Sequence, residues 1–139
     1  RDSLSDINVT VEQSPTEQVV AVLNEIDTML QQLINSGQEG SIDLRSLPLF
    51  PGDYDMLKQL LAEGEVSAIL QAMGPSKIQE TRVPGVWWVT HFNEDDEKIA
   101  EYIEVTRIPS LLKTTEEDLA DGPTGIKHLI EQFLNNQND

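Results

Sequence analysis

The sequence predicts an α+β fold, an antiparallel meander of about four to five strands packed with amphipathic helices. Two observations carry this. Apolar residues recur at three- and four-residue spacing between Val19 and Ile34, the period of one helical face. From Glu65 onward the period switches to two, and the links Gly74-Pro75, Pro84-Gly85 and 93–97 are too short for parallel crossovers, so successive strands turn back on one another.

Residues 1–13 are polar and are expected to form a tail. Ser14-Pro15-Thr16-Glu17 then reads as a capping box, with Ser14 as cap and Glu17 reaching back to it. The first helix carries Val19, Val22, Leu23, Ile26, Met29, Leu30, Leu33 and Ile34 as its stripe, and Gly37 supplies the left-handed stop. Residues 41–47 alternate as a short strand, closed by Pro48 and Pro51-Gly52. A second helix is expected to be capped by Asp53, to bury Met56, Leu57, Leu60 and Leu61, and to end at Gly64.

Strands are expected at 66–72, 77–83, 86–92 and 98–108, with 77–83 polar enough to lie at a sheet edge. Thr114-Thr115-Glu116-Glu117 offers a capping box for a single-turn helix ending near Gly122. Pro123 is expected to open a last helix with Ile126, Leu129, Ile130, Phe133 and Leu134 on one side. No repeat or linker interrupts the sequence, so residues 14–136 are expected to form one domain.

The 139 residues include 25 Asp and Glu against 9 Lys and Arg, for a formal charge of −16, and no Cys. Without thiols there are no disulfides, no cysteine nucleophile and no cysteine-ligated zinc or iron–sulfur cluster. The charge repels phosphate backbones, which argues against nucleic acid and favours a basic protein or peptide as partner. No apolar run is long enough for a membrane span. The two histidines, His91 and His128, lack metal-ligand spacing, and neither metal nor cofactor is expected.

The richest segment is the hairpin formed by 86–92 and 98–108. Pairing Asn93 with Lys98 around a four-residue loop puts Val86, Trp88, Thr90 and Phe92 opposite Val105, Ile103, Glu101 and Ile99. That face is apolar apart from Thr90 and Glu101, and is assigned to the core. Trp87, Val89 and His91, opposite Glu104, Tyr102 and Ala100, form the other face. Trp87 is either packed under a covering layer or, with His91 and Tyr102, part of a recognition platform, since Trp and Tyr supply rigid contact area. Glu104 and the turn acids Asp95 and Asp96 would add the attraction for a cationic segment.

Catalytic patterns are absent. Glu101 and Glu104 point to opposite faces of one strand, which prevents an acid/base pair. There is no nucleophile elbow and no phosphate-cradling loop. An internal pocket using Glu101 and Thr90 is the one enzymatic alternative; as a buried carboxylate Glu101 should be paired, with Arg82 or Arg107, or lie near the sheet end.

Residues 43–68 (DLRSLPLFPGDYDMLKQLLAEGEVSA) and 85–112 (GVWWVTHFNEDDEKIAEYIEVTRIPSLL) together resemble the C-terminal conserved region of the [NiFe]-hydrogenase expression/formation proteins of the HupH/HyaF type. LPL, GEVSA, VWWVTHFN and IEVTRIP carry the match. The resemblance implies a cytoplasmic, non-enzymatic accessory protein in hydrogenase maturation. Its partners would be the iron–sulfur small subunit or its precursor before export, together with other maturation proteins. It implies no catalytic residues. The competing expectation is a generic interaction module that forms a homodimer, or binds a peptide, through a sheet edge such as 77–83.

Overall fold

The computed structural model describes residues 15–137. The expected tail and the expected cap Ser14 lie outside the described residues. The chain divides into two compact units after Pro109, and each is described by itself.

The first unit begins with helix α1, Glu17–Ser36. Its cap is Thr16, whose hydroxyl accepts the Val19 N–H at 3.3 Å. Glu17 therefore sits at the first helical position, where the third was expected. Gly37 ends the helix at φ 77° and returns its N–H to the Leu33 carbonyl, as expected. Val19, Val22, Ile26 and Leu33 are buried, whereas Ile34, expected in the same stripe, is 74% exposed.

Strand β1, Gly40–Asp43, is shorter than expected. The Asp43 carboxylate accepts the Arg45 N–H and the Ser46 hydroxyl, which bends the chain into a 3-10 turn, Leu44–Ser46. Helix α2, Asp53–Leu61, is capped by Gly52 at φ 89° and not by the side chain of Asp53. Asp53 is instead 2% exposed and ties two helix starts together: its Oδ2 accepts the Phe50 N–H at 2.7 Å and its Oδ1 the Thr16 hydroxyl at 2.9 Å. Gly64 does not stop the helix. A Cβ there would lie 2.3 Å from the Thr81 carbonyl oxygen, so glycine is required by the close approach of the two backbone segments.

Strands β2 (Ser67–Leu70), β3 (Ser76–Glu80), β4 (Val86–Phe92) and β5 (Lys98–Val105) form the expected meander. β1 joins it beside β5, giving an antiparallel sheet in the order β1-β5-β4-β3-β2. The run at 77–83 is therefore not an edge. β3 is paired on both sides, and the edges are β1 and β2. Lys77 and Gln79 are polar because they pair with Thr90 and Trp88 over an open part of one sheet face, and not because the ladder is unpaired.

The expected register between β4 and β5 holds from Val86↔Val105 to His91↔Ala100. It then slips, and Phe92 pairs with Lys98. The cause is the turn: Asn93 N–H bonds to the Glu97 carbonyl and Asp96 takes φ 60°, closing a three-residue loop where four residues were expected. The extra residue, Ile99, is 51% exposed instead of facing the core.

The core lies between the helices and one sheet face, where Val19, Ile26 and Leu57 meet Val86, Trp88, Ile103 and Val105. On the reverse face Ile78, Trp87 and Val89 are also buried. In the second unit, Thr115 caps helix α3, Glu116–Gln137, its hydroxyl accepting the Asp118 N–H. The expected break at Gly122 does not occur. The helix runs on through Pro123, which forfeits one i→i−4 bond, and the acids Glu116, Glu117 and Asp118 favour its start. Ile126, Leu129, Ile130, Phe133 and Leu134 fall on one side, and none of the described residues of this unit covers them.

Candidate functional site

Each face of the β4–β5 hairpin carries a polar group in a mainly apolar setting. On the reverse face the alternation puts Trp87, His91, Tyr102 and Glu104 together. Trp87, considered above for contact area, is only 5% exposed, and its indole N–H is spent on the Thr106 carbonyl at 3.1 Å. It braces this face and offers little surface to a partner. Half-buried His91 and Tyr102 meet edge to face with ring centroids 5.8 Å apart, and His91 Nδ1 lies 2.7 Å from the Ser76 hydroxyl.

Glu104 pairs with Trp87 across the ladder and is half-buried, with Oε2 shielded and without a hydrogen-bond partner. Burial pushes its carboxyl above the usual range; His91 acts against that shift and Glu39 adds to it. A desolvated carboxylate lacking a donor is a group that a partner's cation would satisfy. Asp95 and Asp96 are exposed in the turn, beyond the bulge. The structure thus groups His91, Tyr102 and Glu104 over a packed Trp87 and leaves the turn acids at the end of the hairpin.

The helix-covered face holds Glu101, 3% exposed. Its Oε2 accepts from Tyr54 Oη at 2.6 Å, Trp88 Nε1 at 2.6 Å and Thr90 Oγ1 at 3.1 Å. Its Oε1 lies 3.3 Å from Lys98 Nζ, which also donates to Tyr54 Oη. Neither Arg82 nor Arg107 is the partner. In a regular strand residues 98 and 101 would point apart, but the bulge at Ile99 turns Lys98 to the side of Glu101. Burial raises the Glu101 carboxyl, yet the bonds from Trp88 and Tyr54 and the charge of Lys98 outweigh it and hold the group below its ordinary value. An ionised carboxylate with its lone pairs occupied is a structural pivot, not a proton shuttle.

Tyr54 and Lys58 are missing from the sequence-based candidates. Both lie on α2, and the Lys58 ammonium stands 5.3 Å above the Trp88 ring. Their spacing of four puts them on one side of α2, but only docking of α2 over β4 reveals the target. Among the described residues no group of three or more His, Cys, Asp or Glu could hold a metal ion. No helix among them is long and apolar enough to cross a membrane.

Comparison with known proteins gives a consistent result. Residues 17–133 match the family model described as HupH hydrogenase expression protein, C-terminal conserved region. Hydrogenase expression/formation protein HoxQ of Azotobacter vinelandii is 33% identical over 91 residues, 66% of this chain and 32% of that protein. HupH of Rhodobacter capsulatus is 34% identical over 95 residues, 68% of this chain and 34% of its own length. The chain therefore spans about a third of the length of the curated relatives it matches. Among solved structures, hydrogenase expression protein HupH from Thiobacillus denitrificans superposes with a TM-score of 0.79 at 34% identity, covering 86% of this chain and 99% of that one.

Proposed function

We propose that this chain, which belongs to the HupH hydrogenase expression protein family through its C-terminal conserved region, is a non-enzymatic accessory protein in [NiFe]-hydrogenase maturation. It acts as an assembly chaperone in the cytoplasm, holding the iron–sulfur small subunit or its precursor before export alongside other maturation proteins. The observation that carries the reading is the shielded Oε2 of half-buried Glu104, without a hydrogen-bond partner among the described residues, on the face that carries the His91–Tyr102 pair. In a chain of charge −16, such a group is suited to a basic segment of the client, which the turn acids Asp95 and Asp96 draw in.

Immobilised protein is expected to retain small-subunit precursor, and Glu104→Gln to weaken that retention by about tenfold. The same substitution should make the free protein more stable at pH 7. A raised folded pKa means that ionising Glu104 opposes folding, so stability falls as pH rises through that pKa, and the benefit of Gln disappears below about pH 4. Retention unaffected by Glu104→Gln would reject this face as the docking surface. Failure to retain precursor either with or without its signal peptide would reject the client.

Edge pairing is the second reading, and it now belongs to β2, where Ile69 is 63% exposed on a strand that has one ladder side unpaired among the described residues. Light scattering is expected to give twice the chain mass if β2 pairs with a second copy, and a single-chain mass rejects that homodimer.

A further inference from the structure

Past the end of α2, on the helix-covered side of the sheet, lies a cleft of about 330 Å³. Its floor is Trp88 and Thr90; Lys77 and Gln79 of β3 form one side and Lys58 and Ala62 of α2 the other. The volume is at the small end of the range for small-molecule pockets, roughly 300–1,000 Å³. Two of the chain's nine Lys and Arg residues converge here in a protein of charge −16. Lys58 alone has an ordinary explanation, since it stands over the Trp88 and Tyr54 rings in the last turn of a helix. Among the described residues Lys77 has none of these partners.

Ala62 adds a separate observation. Its backbone lies at φ 54° and ψ −159°, a conformation suited to glycine. Three backbone bonds hold it there: Ala62 N–H to the Lys58 carbonyl, Arg82 N–H to Leu61, and Gly64 N–H to Glu80. Glycine would take the same path without strain, and Ala62 is among the residues that line the cleft.

We propose that this cleft is a binding site for a singly charged carboxylate with a flat apolar body. Lys58 and Lys77 receive the carboxylate, while the body lies against Ala62 and the small part of Trp88, 5% exposed, that borders the cleft. Glu63 at the same cleft leaves a net charge of one positive unit, which favours a carboxylate over a phosphate dianion. The chemistry is shared by a free aromatic acid and by the carboxyl-terminal residue of a peptide. The site is on the opposite side of the sheet from Glu104 and does not depend on it.

The test is amide and indole NMR on the full chain, titrated with N-acetylphenylalanine, with its uncharged amide, and with a short peptide ending in phenylalanine. The acid is expected to shift the Trp88 indole and the Ala62, Lys77 and Thr90 amides with a Kd on the order of 1 mM, and the amide analogue to shift none of them. Lys58→Gln and Lys77→Gln should each weaken binding at least about threefold, and the double variant should abolish it. Ala62→Gly should weaken binding while leaving the urea midpoint unchanged or raised. A peptide at least about tenfold tighter than the free acid assigns the site to a chain terminus, and equal affinities assign it to a small acid. Equal shifts from acid and amide, shifts that survive the double variant, or none at about 10 mM acid would overturn the proposal.

Discussion

Glu101→Ala is expected to lower the stability of the first unit by about 2–4 kcal/mol at pH 7. The substitution strands the indole N–H of Trp88 and the hydroxyl of Tyr54, both at 2.6 Å from the lost carboxylate, in a nearly dry setting. It also leaves a void against the ring pair they form. The ion pair itself adds little to this figure, because the Lys98 side chain is 38% exposed and can return to water. Glu101→Gln keeps the shape and one accepting oxygen, so it should cost about half as much. The pH dependence has a fixed sign. A folded pKa held below the unfolded value gives stability that is complete above about pH 4.3 and is lost as pH falls towards the folded pKa. Urea midpoints of the native chain and Glu101→Ala should therefore converge between pH 7 and pH 3. A constant gap across that interval would show that Glu101 acts through packing alone.

The same carboxylate marks where sequence reading stops. Helix α1 and the β4–β5 register are legible because each rests on a period and a local stop signal, Gly37 in one case and the acidic turn in the other. The loop length was not. Three and four residues differ by whether Asp96 accepts a left-handed conformation, which aspartate tolerates and its neighbours do not announce. That single choice moves Ile99 out of the core and turns Lys98 towards Glu101, so the partner of the buried acid changes with it. The polarity of β3 misled for a related reason: an open cleft and a free sheet edge leave the same mark on a strand's composition. On the reverse face the sequence assembled His91, Tyr102 and Glu104, but a strand pattern carries no information on whether a covering layer shields Trp87.

Helix α1 offers the sharpest test of the packing, because two isoleucines eight residues apart have opposite environments. Ile26 is 4% exposed, in the cluster that joins α1 to Leu57 and to the Trp88 face of the sheet, while Ile34 is 74% exposed. Ile26→Ala is expected to cost about 2–5 kcal/mol, the transfer of three methyl-sized groups plus a cavity that a close-packed layer closes only in part. In urea this displaces the midpoint by about 1 M or more without changing the slope, since the surface exposed on unfolding hardly changes. Ile34→Ala removes the same atoms from water and should stay within about 0.5 kcal/mol of the native chain. The contrast depends on docking and not on helix propensity, which both substitutions improve by a similar amount. Equal losses at the two positions would mean that the helix is anchored by its caps, Thr16 with Asp53 and Gly37, and that its buried stripe contributes little. A large loss confined to Ile26 would identify the α1 layer as what holds the Trp88 face, and with it the cleft and the Glu101 pivot, in a single geometry.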